Sequence, residues 1–177
     1  LYPYAKLLYP GPDDFTTKSR GVFLSRIATG DWDGIIVSES QFRRLPVRPE
    51  TEMNFLREEI ADFRISLEAE EAAGGVRSRS HKEIQKAIAK LTARLEVIQG
   101  KVAEVTEHAI SFDDLGIDQM FVDEADMFKN LHFSTRMGRV RGLPNSDSER
   151  AWDMYQKVRY LQQHGGGRGV VFATGAP

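Results

Sequence analysis

The chain has 177 residues, no cysteine and a formal net charge of −2, with 41% apolar and 28% charged residues, which is ordinary for a water-soluble protein with a buried core. No disulfide or thiolate metal site can form, and the charge argues against nonspecific nucleic-acid binding by the whole surface. There is no stretch of apolar residues as long as a membrane span and no signal peptide, so we expect a cytoplasmic protein with no membrane partner.

The first pattern along the chain is a helix, a turn and a strand, in Arg20-Gly-Val-Phe-Leu-Ser-Arg-Ile-Ala-Thr-Gly-Asp-Trp-Asp-Gly-Ile-Ile-Val-Ser-Glu-Ser-Gln-Phe42. The apolar strand ends in small polar residues. Ser38, Ser40 and Gln41 are among them.

A helical hairpin is predicted next. One apolar series steps by three and four residues through Met53, Leu56, Ile60, Phe63 and Leu67, and a second runs from Ile84 through Ile88, Leu91, Leu95, Ile98 and Val102 to Val105. The Gly74-Gly75 pair separates the two helices. Residues 50–71 carry eight acids and two bases, whereas residues 77–101 carry seven bases and two acids, so the helices should attract each other. Alternatively, Lys82, Lys86, Lys90 and Arg94 reach DNA or a protein partner.

An apolar run that ends in carboxylates follows, in Met120-Phe-Val-Asp-Glu-Ala-Asp-Met-Phe-Lys-Asn130. It is typical of a strand covered on both faces, and ligands in open parallel sheets bind beyond the carboxyl ends of the strands. Magnesium bound with phosphates takes one or two protein carboxylates, so Asp123 and Glu124 are candidates for a magnesium-nucleotide site. The alternative is that these carboxylates cap the following helix.

The remaining chain contains a basic segment, a helix and a last strand. Arg136, Arg139 and Arg141 are candidates for contacting DNA phosphates, or else they brace the sheet or face solvent. A helix is predicted over residues 146–163, with Trp152, Tyr155 and Val158 on its apolar side. The chain then ends in Arg168-Gly-Val-Val-Phe-Ala-Thr-Gly-Ala-Pro177, a second apolar strand followed by small polar residues.

These motifs, in this order, resemble the first motor domain of superfamily-two helicases and translocases. The two strand ends are similar to motifs II and III, and residues 20–42 are similar to motif Ib. The Lys129-Asn130 pair makes the resemblance closer to Swi/Snf-type DNA translocases. The I-A-T-G-D stretch, the S-Q-F and Leu115-Gly-Ile-Asp118 resemble the large helicase and DNA methylase fusion proteins of phages, plasmids and conjugative elements.

The resemblance implies a role for each candidate residue. Asp123 would hold magnesium through water, and Glu124 would orient and deprotonate the attacking water. Asp126, Thr174 and Gly175 would couple the bound ATP to motion between motor domains, while Ser38, Ser40 and Gln41 would contact the DNA backbone. The chain departs from the family pattern at Asp126, where His is frequent, and at Ala176, where a second Thr is usual.

The chain contains no G-x-x-x-x-G-K-[ST] sequence, so it provides no phosphate-binding loop. In the family this loop precedes the motif Ia region, which here corresponds to Tyr4 to Pro10. We therefore expect the chain to be an excerpt of a longer polypeptide whose other segments provide the loop and the second motor domain. Alone it should be inactive as an ATPase.

The sequence thus predicts an α/β fold with a partial RecA-like parallel sheet of about four strands, flanked by helices and interrupted by an antiparallel helical hairpin. Residues 1–48 and 109–177 would form the motor domain, and residues 49–108 the insertion. The expected function is ATP-driven translocation on, or remodelling of, double-stranded DNA, with ATP and Mg²⁺ as cofactors. The alternative is a noncatalytic scaffold that binds nucleic acid or protein, with the hairpin as interaction module.

Overall fold

The computed structural model describes residues 3–76, 78–104, 110–128, 131 and 148–175, with the backbone alone at 103–104. Short strands alternate with helices along the chain. The elements are β1 (Leu7–Leu8), α1 (Arg20–Thr29), β2 (Gly34–Ile35), α2 (Glu39–Phe42), α3 (Pro49–Ala72), α4 (Arg79–Glu104), β3 (Met120–Val122), α5 (Glu149–His164) and β4 (Val170–Phe172), with 3-10 turns at Phe112–Asp114 and Ala125–Phe128.

The four strands form two separate parallel pairs. β1 pairs with β2 in the register Leu7↔Gly34, and β3 pairs with β4 in the register Met120↔Val170. The predictions of a mixed α/β chain and of parallel pairing are therefore confirmed. The expectation of one sheet of about four strands is wrong for the described residues, because β2 and β3 do not hydrogen-bond to each other. A groove lies between them instead.

The main core lies beneath these strand pairs. Phe23, Leu24 and Ile27 on one face of α1 are buried with Leu8 of β1 and with residues before and after the hairpin. A second cluster joins Val122 of β3 to α5, which buries an apolar stripe at helical spacing. The side chains that α5 contributes to the two clusters are Met154, Val158 and Leu161.

The two long helices α3 and α4 pack side by side as a hairpin. Phe63 of α3 is buried against Ile84 and Ala87 of α4, as the apolar spacing predicts. The turn requires Gly74, whose φ of 81° lies in the left-handed region that glycine adopts without steric cost. The division of the chain at residues 49 and 108 stays a prediction, and residues 105–109 lie outside the described part.

Carboxylates close the base of this hairpin. The Asp113 Oδ2 atom accepts the backbone N–H of Arg48 at 2.8 Å, and the other oxygen of Asp113 accepts the Thr51 hydroxyl. The Arg48 guanidinium beside Asp114 holds the pKa of that carboxyl down at about 2. These contacts join the residue that precedes α3 to the chain that follows α4, so the two ends of the hairpin lie close together.

Helix α5 holds the hairpin through two arginine clusters. Arg94 of α4 pairs with Glu52 of α3 at 2.8 Å and with Glu149 of α5 at 2.9 Å, and its guanidinium lies 5.5 Å from the Trp152 ring. Two carboxylates of the same chain thus pair with Arg94, and its contact with DNA or a partner stays a prediction. Lys82 and Lys86 of the same helix are exposed.

The second cluster is centred on Arg159 of α5. Its guanidinium pairs with Glu58 at 2.6 Å and Glu59 at 3.3 Å, and it lies 5.2 Å from the Phe55 ring. Glu59 also accepts the Tyr155 hydroxyl, and burial together with this carboxylate raises the pKa of Tyr155 to about 12. The hairpin is thereby attached to the helix that leads into β4.

We expect Arg159→Ala to loosen this attachment. The change leaves two half-covered carboxylates without their cation and should weaken local stability by about 2 kcal/mol. Amide exchange in the facing turns of α3 should then rise about 30-fold in the full-length protein. Arg64→Ala, at an exposed arginine of α3, is the control. Equal exchange in the two variants would contradict the role of Arg159.

Candidate functional site

The carboxyl ends of β3 and β4 lie side by side. The Ala173 N–H donates to the Val122 carbonyl at 2.8 Å, and the Ala125 N–H donates to the Ala173 carbonyl at 2.9 Å. The two hydrogen bonds extend the parallel pairing beyond the strands into the polar segments that follow. They bring Asp123 and Glu124 next to Thr174, so the two predicted strand ends share one edge of the sheet.

The two acids differ in their backbone geometry. Both side chains are exposed, and Asp123 Oδ1 accepts the N–H of Glu124 at 2.9 Å. Glu124 has a φ of 53°, which makes it the one non-glycine residue with positive φ in the described part of the chain. This conformation costs roughly 1–2 kcal/mol for a residue with a side chain. The fold thus holds Glu124 in a strained conformation beside the strand ends.

The other candidates at this edge are also accessible. Asp126 lies exposed in the 3-10 turn Ala125–Phe128, and Thr174 and Gly175 are exposed after β4. The segment after Glu124 is a 3-10 turn rather than an α-helix. Among the described residues, the capping alternative is represented by the hydrogen bond that the Glu124 N–H donates to Asp123. Lys129, Asn130 and Ala176 lie outside the described residues.

A groove of about 850 Å³, which we call the interstrand groove, separates β2 from β3 and reaches the two acids. One wall is formed by residues 34–37 and the other by residues 120–124. The floor is apolar and includes Phe42, Phe112 and Met154. Asp123 and Glu124 therefore lie at the mouth of a large concave surface, which is a common setting for a binding site.

The acids meet the modest requirement of a magnesium ion that is held mainly by phosphates and water. Among the described residues no cluster of three or more His, Asp or Glu could hold a metal by itself. Magnesium bound with a nucleotide needs only one or two carboxylates. Asp123 fits this requirement because its side chain is exposed and, among the described residues, one of its oxygens accepts the neighbouring N–H while the other accepts no hydrogen bond.

The predicted DNA-contacting residues after β2 form a capping box. The Gln41 N–H donates to the Ser38 hydroxyl at 3.4 Å, and the Ser38 N–H donates to the Gln41 side-chain oxygen at 2.9 Å. Ser38 and Gln41 therefore have a structural task at the start of α2. The exposed Ser40 shares only a 3.1 Å contact with the Ser38 hydroxyl. Arg136, Arg139 and Arg141 lie outside the described residues.

A buried lysine that the sequence reasoning missed fixes the other end of α2. Lys157 is fully buried on α5, and its Nζ donates to the Phe42 carbonyl at 2.8 Å and to Asp153 at 2.7 Å. The ammonium also lies 3.9 Å from the centre of the Phe42 ring. The sequence carries one signal for this pair, because Asp153 and Lys157 are four residues apart on a predicted helix.

A charge substitution tests the predicted DNA contact of Ser40. We expect Ser40→Asp to weaken duplex binding by the full-length protein several-fold, because a carboxylate at this exposed position would repel phosphates. Thr17→Asp, which adds the same charge at another exposed site, should change little. The measurement is the duplex concentration that gives half-maximal binding at two salt concentrations. Equal effects of the two changes would remove Ser40 from the DNA contact.

The fold and this edge define an α/β protein with acids and small polar residues at neighbouring ends of parallel strands. The chain belongs to the probable helicase domain family, whose model matches residues 1–176. It is also 28% identical over 170 residues to the Defense against restriction protein B of Escherichia phage P1. That alignment covers 93% of this chain and 7% of the phage protein.

No solved structure matches the chain. In the part of the chain that the structure describes, no helix is both long and apolar enough to cross a membrane.

Proposed function

We propose that this chain is part of an ATP-driven DNA motor, in which it provides the carboxylates that act on the nucleotide. The observation that carries this proposal is the adjacency of the β3 and β4 ends, with Asp123, Glu124 and Thr174 at one edge. The helicase family and the position of these residues beside the interstrand groove support it. The RecA-like and Swi/Snf-like character of the motor belongs to this proposal.

The roles follow from the exposure and chemistry of the two acids. Asp123 would hold a magnesium ion through water, and the ion would neutralise charge on the phosphates of ATP. Glu124 would accept a proton from the attacking water, because a carboxylate fixed by its backbone can orient that water without reorganising. Asp126, Thr174 and Gly175 lie next to these acids and would respond to the nucleotide state.

The remaining parts of the site would come from outside this chain. A motor of this kind needs backbone N–H groups and a lysine around the phosphates, and the chain contains no such loop. The phage relative is far longer than the aligned segment, so a longer polypeptide could supply the loop and a second motor domain. The name of that relative refers to defence against restriction, which is consistent with action on DNA.

The test is ATP hydrolysis by the full-length protein with and without double-stranded DNA. We expect turnover that rises several-fold when duplex is added. Turnover that is absent under both conditions, with the protein folded and binding duplex, would favour a noncatalytic scaffold instead. Duplex binding without any binding of ATP would lead to the same conclusion.

A further inference from the structure

The outward side of α4 carries a row of cations. Lys82, Lys86 and Lys90 follow one another at intervals of four residues, and all three are exposed. Residues four apart are neighbours on a helix surface, so the three lysines lie on one side of α4, about 6 Å apart along its axis. The rotation of about 100° per residue places two further exposed residues on this side, Arg79 and Lys101. We call these five residues the basic row.

The basic row faces away from the core of the hairpin. Ile84 of α4 is buried and Leu91 packs beside it against Phe63 of α3, on roughly the opposite side of α4. One acid of α4, Glu83, borders the row, and it pairs with Arg79 at 2.8 Å. The packing of the hairpin therefore gives no reason for a row of lysines on this side.

The acids of α3 that contact α4 are directed at other residues. Glu52 pairs with Arg94 at 2.8 Å, and Glu71 contacts the His81 ring at 2.9 Å. Leaving Lys90 aside, the lysines of the basic row form no ion pair among the described residues. The opposite charges of the two helices are thus only partly used inside the hairpin, and positive charge is directed outwards.

A straight row of lysines fits a row of phosphates. Each strand of duplex DNA presents one phosphate per about 3.4 Å of its axis, so the roughly 12 Å from Lys82 to Lys90 spans three or four phosphates. The lysine ammonium is a point charge on a flexible stem, and it neutralises a phosphate without reading the bases.

Other occupants fit the basic row less well. Residues 79–104 contain no Phe, Tyr or Trp, so the bases of a single strand would have no aromatic side chain on which to stack. The apolar side of α4 packs on α3, so it is not available for a lipid surface. Protein interfaces are centred on aromatic or other large anchors, whereas the large apolar side chain that α4 exposes among the described residues is Val97.

We propose that the basic row of α4 binds the phosphate backbone of double-stranded DNA, as a second site of contact besides the segment after β2. The contact is independent of base sequence. Lys82 and Lys86 lie about 18 Å and 12 Å along the helix axis from Arg94, where α5 holds the hairpin, so this contact lies towards the hairpin tip. The choice of duplex DNA as the occupant rests on the proposed function, but the site itself requires no ATP hydrolysis.

Duplex binding by the full-length protein in the absence of nucleotide tests the site. Lys82→Gln combined with Lys86→Gln removes two cations and keeps side chains of similar shape. We expect about tenfold weaker duplex binding at low salt, and a plot of log affinity against log salt concentration whose slope is shallower by about two. The loss should be equal for duplexes of unrelated sequence.

The matched control is Arg57→Gln combined with Arg64→Gln, which removes two exposed cations from α3 of the same hairpin. The control should bind duplex as the unmodified protein does. Equal duplex affinities of the two double variants would overturn the proposal. A loss that appears only with single-stranded DNA, or only with phosphatidylserine vesicles, would also overturn it, because the occupant would then be a different one.

Photo-crosslinking locates the duplex without removing a charge. Ala89 is exposed three residues after Lys86, so Ala89→p-benzoylphenylalanine places the photoreactive group beside the basic row. Irradiation of the full-length protein with duplex should join the two. Ile65→p-benzoylphenylalanine, at an exposed position of α3, is the control and should give several-fold less cross-linked duplex. Equal cross-linking at the two positions would overturn the proposal.

ATP turnover of the same samples separates this inference from the motor assignment. Turnover that is absent while Ala89→p-benzoylphenylalanine still cross-links duplex would contradict the motor assignment alone. Turnover that duplex stimulates equally in the two double variants, with equal duplex affinities, would overturn the site on α4 and leave the motor assignment intact.

Discussion

Glu124→Gln should lower DNA-stimulated ATP turnover of the full-length protein by about 10²–10⁴-fold, the usual contribution of a general base. Gln has nearly the shape of Glu but cannot take a proton from water. The backbone requirement at position 124, with its φ of 53°, is the same for both residues, so the fold should be unchanged. The measurement is the steady-state rate at saturating ATP and duplex.

The control for Glu124→Gln is Glu96→Gln. Glu96 is an exposed carboxylate of α4, and the control makes the same chemical change away from the strand ends. Nucleotide binding should survive in both variants, because removal of a proton acceptor affects the chemical step. Unchanged turnover in Glu124→Gln would remove this residue from catalysis. The proton of the attacking water would then be taken by another group.

The strand ends could be predicted because they depend on local sequence. An apolar run followed by carboxylates or by small polar residues fixes both the strand and its polar edge, as at Val122 and Phe172. The pairing of β3 with β4 follows from two such strands lying in one sheet. The left-handed backbone of Glu124 could not be predicted, because nothing about a Glu residue in a sequence marks a positive φ. Such conformations are imposed by the surrounding fold.

The single sheet was predicted wrongly for a physical reason. A sequence pattern gives the strands but not their neighbours, and strands that are adjacent along the chain need not be adjacent in the sheet. β2 and β3 are separated along the chain by the whole hairpin, and a groove lies between them. Phe121 and Ile36, which line this groove, stay exposed.

The ion pairs of the hairpin could also be predicted only in part. Its opposite charge balance predicts attraction between α3 and α4, and the Arg94 pair with Glu52 is an example. The pairs from α5 were not predictable, because Arg159 meets Glu58 about a hundred residues earlier in the chain. Since α5 also leads into β4, the hairpin and the carboxyl ends of β3 and β4 are attached to one helix. A movement of the hairpin would therefore shift α5 and with it the end of β4.

Lys157→Met should destabilise the attachment of α2 to α5 by about 3 kcal/mol, the lower end for a broken buried ion pair. The change leaves the Asp153 carboxylate and the Phe42 carbonyl without their shared donor. Burial lowers the pKa of Lys157 and raises the pKa of Asp153, so desolvation opposes both charges even while they are paired. Amide exchange of α5 and thermal unfolding of the full-length protein measure the loss.

The double variant Lys157→Met with Asp153→Leu tests this explanation. Replacing both partners removes two desolvated charges, so it should recover most of the loss, apart from the unpaired Phe42 carbonyl. A double variant as unstable as Lys157→Met alone would mean that the lysine acts through packing on Phe42 and not through its charge.

The pH dependence of Lys157→Met distinguishes the same two causes. Without the lysine, the pKa of Asp153 in the folded protein should rise further above its ordinary value of 3.8. A group whose folded pKa is raised binds its proton more tightly in the folded state, so stability increases as the pH falls through that folded pKa. The stability that Lys157→Met loses relative to the unmodified protein should therefore be largest near neutral pH and should become smaller as the pH approaches 4. A loss of stability that stays constant from neutral pH to about pH 4 would show that no buried carboxylate is left unpaired.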